Sequence, residues 1–169
     1  MSKIYEVEGD ILLSGAQAIA HGVAEGDHFD TSLALALRQR WPALAKDFRH
    51  YCHLNHPRAG EIWAWGGVSD DTGKAVRVIN LLTQEPAENA IGRPGRAKLE
   101  HVGHALRALA RHAKEEGIGS LALPRLATGV GGLEWTAVKP LIERHLADLN
   151  IPVFVYAVYR KGVKAAEVL

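Results

Sequence analysis

Residues 123–135 read LPRLATGVGGLEW. Gly129, Gly131 and Gly132 lie where an apolar run gives way to an amphipathic one. Glycines beside a helix N-terminus can turn several backbone N–H groups towards one point, at the positive end of the helix dipole, and phosphate binds well there. Two familiar alternatives are excluded. No Gly-Lys-Ser/Thr closes the loop, so it is not a P-loop, and GVGG lacks the spacing of a dinucleotide fingerprint. On pattern alone, phosphate binding and a wide structural loop stay equally open.

Other residues could join that chemistry. Asp10 follows an apolar segment in VEGDIL, where it can cap the next turn or accept a hydrogen bond from a base amine. Tyr159 ends the run IPVFVYAVY and can stack on a base or sit at a rim. The loop AHGVAEGDHFDTS is long for a connection and holds His21, Asp27, His28 and Asp30. Asp30 reads first as a helix N-cap, His28 as solvent-exposed. With no helical His-x₃-His pair and no cysteine partner, the spacing argues against a metal site. His50, His53 and His56 recur every three residues at a helix end and read as a partly exposed face rather than a metal site. Cys52, the single cysteine, lacks a motif supplying a base or an oxyanion hole and reads as a buried thiol.

These residues need a frame. KIYEVEGD, AQAIAHG, GEIWAWGG, KAVRVINLLT, IGSLALP and IPVFVYAVY read as strands. VSDDTG, with Asp71, Thr72 and Gly73, reads as a hairpin turn between the third and fourth. DTSLALALRQRW starts a helix whose stripe takes in Leu33, Leu37, Leu44 and Phe48, and Pro42 kinks or restarts it. Leu99, Val102, Leu106, Leu109 and Ala113 mark a long helix closed by Gly117. Val138, Leu141, Ile142, His145 and Leu149 mark another, and KGVKAAEVL reads as a short terminal helix. Trp63 and Trp65 alternate on one strand and therefore share a face. Strands alternating with helices predict an α/β sandwich on a largely parallel or mixed sheet, with ligands at the strand carboxyl ends.

The totals bound the rest. At 169 residues the chain reads as one domain, residues 1–169, able to bury a core without disulfides. Twenty Lys+Arg against 19 Asp+Glu leave a net charge of +1. That gives no overall drive towards nucleic acid or a membrane surface. No apolar run nears the roughly 18 residues that span a bilayer. A cytoplasmic protein is expected.

Taken together, VEGDIL, AIAHGV, DTSLALALRQRWP, NLLT, SLALPRLATGVGGLEW and VYAVYR resemble the macro domain family, a three-layer α/β/α module that binds ADP-ribose. The branch they resemble contains the terminal ADP-ribose protein glycohydrolase. The resemblance implies that Asp10 binds the adenine amine, Ile11 lines its pocket and Tyr159 stacks on it. It gives the pyrophosphate to the backbone of Thr128, Gly129, Val130, Gly131 and Gly132, and has Thr31, Ser32 and Leu33 border the diphosphate and distal ribose. No cofactor or metal is implied. The hydrolases of this branch use a lysine just after the NLLT-like strand and an aspartate in the second loop; those positions are Gln84 and Gly131 here. Two functions remain: a hydrolase taking mono-ADP-ribose off modified proteins, most plausibly off acidic side chains, with Asp30 or His21 polarising a water, or a non-catalytic reader of the same group.

Overall fold

The structure is a computed structural model that describes residues 3–68, 73–86 and 95–169. Among these residues, six strands form one mixed sheet: β1 (Ile4–Gly9), β2 (Ala18–Val23), β3 (Ile62–Val68), β4 (Ala75–Leu82), β5 (Leu121–Pro124) and β6 (Val153–Tyr159). Their order is β1-β6-β5-β2-β4-β3. All neighbours run parallel except β3 and β4, which pair antiparallel with Val68 opposite Ala75. The expected hairpin therefore forms. Asp71 and Thr72 of its turn lie outside the described residues, and Gly73 takes a positive φ of 69°.

Among the described residues, four α-helices cover the sheet: α1 (Ser32–Arg40), α2 (Pro42–Asn55), α3 (Leu99–Glu116) and α4 (Trp135–Leu146). Pro42 restarts the helix rather than kinking it, as suits a residue that needs no N–H in the first turn. Strand side chains alternate between faces, so two cores result. Ala20, Ile79, Leu81, Leu121, Leu123 and Val155 pack with α3 and α4. Ile19, Val78, Leu82, Ala122 and Phe154 pack with α1 and α2. Trp63 and Trp65 do share a face: Trp63 stacks on Tyr51 at 5.1 Å, and Trp65 donates to Asp47 Oδ2 at 2.8 Å. Cys52 is buried, and burial pushes its thiol up.

Some expectations fail in detail. Leu99 begins α3 but is 41% exposed, since a residue in the first turn lies at the rim of the core. Leu146, absent from the expected α4 face, is buried there. KGVKAAEVL forms no helix. It crosses the end of β1 instead, with Asp10 donating its N–H to Val163 O at 2.7 Å. A Cβ at Gly9 would lie 2.8 Å from both Ala165 N and Val163 O, so only glycine admits this crossing.

Glu167 fastens the segment. Its Oε2 accepts from Ser14 Oγ at 2.6 Å and Tyr156 Oη at 2.7 Å, and its Oε1 accepts from Gly15 N at 2.8 Å. Charge-assisted bonds are the stronger kind, and losing them strands a part-buried phenol. Glu167→Ala should cost about 2 kcal/mol in urea unfolding. An unchanged midpoint would mean the tail is only laid against the sheet.

Candidate functional site

The carboxyl ends of β2, β5 and β6 meet the N-terminus of α1 and the glycine loop. Between them lies a cavity of about 290 Å³, lined by His21, Asp27, Thr31, Gln84, Gly129 and Tyr159 among others. A second cavity of about 360 Å³ adjoins it, walled by Ile11, Leu12, Leu33, Ala36 and Tyr156. The two share Ser32, Leu33, Pro124, Tyr156 and Tyr159, so they form one trough with an apolar compartment at one end.

Backbone donors line the middle of the trough. Among the described residues, Gly129, Val130 and Gly131 donate no backbone hydrogen bond, and all three face the cavity. Opposite them stands the first turn of α1, with Ser32, Leu33 and Ala34 at the cavity wall. The first N–H groups of a helix have no partner within it. Thr31 is the N-cap but makes no side-chain cap hydrogen bond, so nothing covers those donors. Two positive backbone surfaces thus face each other, and Arg125 adds a guanidinium to the cavity wall.

The three glycines of the loop have different jobs. Gly132 has φ of 77° and donates its N–H to Gly129 O at 3.1 Å, which closes the turn. Gly131 is buried; a Cβ there would lie 2.6 Å from Ala127 O and 2.9 Å from Ala97 Cβ. Its O accepts from Ala97 N at 3.0 Å, which ties the loop to the entry of α3. Gly129 has open space where a Cβ would stand. Thr128 points its hydroxyl back to Arg125 O at 2.9 Å. Thr128 and Gly132 do not line the cavity.

Asp10 plays the capping role. Its Oδ1 accepts from Leu12 N and its Oδ2 from Gly162 N, both at 3.0 Å. Each oxygen keeps a second lone pair. Tyr159 lies near it: burial and the Asp10 charge together push its phenol up. Ile11 and Tyr159 both reach the apolar compartment.

Asp30, expected as an N-cap or a polarising group, is neither in position to cap nor at the cavity. Thr31 holds the N-cap place, and the Asp30 carboxylate takes the Arg38 guanidinium at 2.6 Å. Arg38 also donates to His28 O at 3.1 Å, which pins the loop, and His28 is part-buried. His21 does reach the cavity, but its Nε2 lies 2.7 Å from Asn80 Oδ1. Burial lowers its pKa to about 4, so it is a neutral imidazole at pH 7. Gln84 donates to Gly95 O at 3.0 Å and lines the cavity. Gly22 keeps the floor low: a Cβ there would lie 2.7 Å from Thr83 Oγ1.

The residue the sequence reading passed over is Asp27, weighed there only as a metal ligand. It is the one carboxylate among the described residues lining the cavity. Its oxygens accept from Phe29 N at 2.8 Å and Ala24 N at 3.4 Å. Burial raises its pKa to about 6. Ala34, Pro124 and Tyr156 were also missed; only their place at the end of a predicted element could have marked them.

No family model matches the chain. The architecture does match solved structures. The macrodomain of Thermus aquaticus DarG has a TM-score of 0.78 at 24% identity, covering 91% of this chain and 97% of that one. The chain therefore has the macrodomain fold. It is similar in particular to the DarG type: Thermosipho africanus DarTG in complex with ADP-ribose has a TM-score of 0.80 at 24% identity, covering 97% of this chain and 43% of that one. A curated relative from Thermosipho africanus, a DNA ADP-ribosyl transferase-DNA ADP-ribosyl glycohydrolase fusion protein, is 28% identical over 93% of this chain. The chain spans 42% of that relative's length.

His21 and Asp27 oppose each other in acid. His21 resists protonation in the folded state, so its contribution is lost as pH falls from 6.5 to about 4. Asp27 resists ionisation, so its contribution is lost as pH rises from 3.8 to about 6. The two nearly cancel. Asp27→Asn leaves the histidine alone, and its melting temperature should climb by about 5 °C more than wild type between pH 4 and 6.5. Parallel profiles for the two proteins would contradict these environments.

Proposed function

We propose that the chain binds ADP-ribose along the trough and hydrolyses it from a mono-ADP-ribosylated carrier. The carrying observation is the pair of facing backbone donor surfaces, Gly129–Gly131 by number 129–131 and the first turn of α1, beside an apolar compartment. A dianionic pyrophosphate suits the first, and a purine suits the second. Adenine lies against Ile11, Leu33 and Tyr156 with Tyr159 stacked on it, and Asp10 offers its spare lone pairs to the amine. The distal ribose then falls at the end formed by His21, Gly22, Asp27 and Gln84.

At that end Asp27 is placed to act as general base. With a pKa of about 6 it is ionised near neutral pH yet basic enough to take a proton. Water attacks the anomeric carbon, its proton passes to the carboxylate, and the bond to the carrier breaks with its electron pair on the carrier atom. Neutral His21 positions the loop and the water. Asp30, paired with Arg38, supports the loop from outside. The curated relatives are named for ADP-ribosylated DNA, which favours a nucleic-acid carrier over the acidic protein side chain expected from the sequence.

One observation supports a second reading, a reader without turnover. Gln84 and Gly131 stand where the resemblance puts the hydrolytic lysine and aspartate, and Gly131 is packed too tightly to admit any side chain.

Calorimetry with ADP-ribose separates these from a failed assignment, and a release assay separates them from each other. Wild type should bind ADP-ribose, and Gly129→Glu, which has room for its side chain, should weaken binding at least tenfold with an unchanged melting temperature. Free ADP-ribose should appear from ADP-ribosylated DNA, and Asp27→Asn should slow it about a hundredfold while still binding. Binding without release from DNA or from a glutamate-modified protein leaves the reader. No ADP-ribose binding removes both.

A further inference from the structure

The neutral total charge conceals an uneven surface. A groove of about 440 Å³ runs between α3 and α4, on the face away from the sheet. His104 and Arg107 line it from α3, and Arg144 and His145 from α4. A single carboxylate, Glu100, lines its upper end. Among the described residues, Arg107, Arg144 and His104 make no hydrogen bond or ion pair. Near the trough, by contrast, Arg38 is paired with Asp30 and Lys98 with Glu85. Burial and the charges of Arg144, Arg107 and His104 hold the His145 imidazolium below its ordinary range, so these groups are close enough to repel.

Four cationic-type side chains against one carboxylate weaken a fold slightly, and nothing in the helix packing requires them. Gly103 lies at the floor, where the His145 ring comes within 3.8 Å of a Cβ position. The missing side chain leaves the groove open along its length. Exposed Leu99 adds apolar wall. Two arginine forks over a partly apolar floor suit phosphate groups spaced along a sugar chain.

The position matters as much as the charge. The Ala97–Gly131 hydrogen bond ties the entry of α3 to the glycine loop, and α4 begins just after that loop. Both helices therefore start at the end of the sheet that holds the trough and carry the groove away from it. We propose that this groove binds the phosphodiester backbone of the nucleic acid whose ADP-ribose group enters the trough. The nucleic-acid identity of the carrier rests on the function proposed above; the groove's affinity for a phosphodiester does not need ADP-ribose and can be measured without it.

The probe is an unmodified, fluorescein-labelled single-stranded DNA 15-mer, read by anisotropy against the 169-residue chain at several salt concentrations. Wild type should bind it at low salt. Arg107→Ala with Arg144→Ala should weaken binding at least tenfold and flatten the slope of log affinity against log salt by about 1.4, the loss of two phosphate contacts. ADP-ribose affinity by calorimetry should not change, which separates failure here from failure of the trough. If the double variant also loses ADP-ribose affinity, the single variants carry the test by the same slope criterion, since both side chains are exposed. No binding by wild type, an unchanged slope, or equal affinity for a poly-glutamate peptide of matched charge would overturn the proposal.

Discussion

Everything in this structure turns on one constraint: backbone N–H groups left without partners must face either water or an anion. The glycine loop and the first turn of α1 both leave such groups, and the sheet brings them to opposite walls of one trough. Most of these donors are peptide groups, with Arg125 the one arginine or lysine at the cavity wall among the described residues. That is how a chain with a net charge of +1 can hold a dianion. The supporting details serve the same end. Gly131 packs against Ala127 and Ala97 so that the loop keeps its curvature, and Arg38 braces Asp30 and the His28 carbonyl so that α1 starts where it does.

In the proposed mechanism, the chemistry at the distal end is a matter of burial. His21 and Asp27 lie a few residues apart on β2 and its loop, and burial drives each towards its neutral form. The histidine is fixed to Asn80 and is spent as a proton acceptor at neutral pH. The aspartate, which keeps lone pairs beyond its two backbone donors, is the group with acid-base capacity. In the proposed mechanism, Asp27 on the loop after β2 does the work for which the resembled hydrolases use a lysine and an aspartate.

Much of the frame was legible in the sequence because its signals are local. Period-two and period-3.6 patterns mark the strands and helices, Pro42 and Gly117 mark a start and a stop, and the order of elements implies a mixed sheet. Gly129, Val130, Gly131, Thr31, Ser32 and Leu33, which the resemblance gives as ligand contacts, all line the cavity. What escaped was set by tertiary contact. The tail KGVKAAEVL has helical composition, yet Gly9 and the Glu167 bonds hold it across β1. Asp30 and Asp27 have the same type and nearly the same address, and only the fold turns one to Arg38 and the other to the cavity. The cationic groove on α3 and α4 was hidden for another reason: a total charge says nothing about where charges gather.

Amide chemical shifts on titration with ADP-ribose test the central claim most directly, because they report on the backbone groups themselves. The account predicts the largest downfield movements at Gly129, Val130, Gly131 and at Ser32, Leu33 and Ala34, with those of the α3–α4 groove unmoved. Saturable binding that leaves these six amides in place, or shifts concentrated on other parts of the fold, would contradict it.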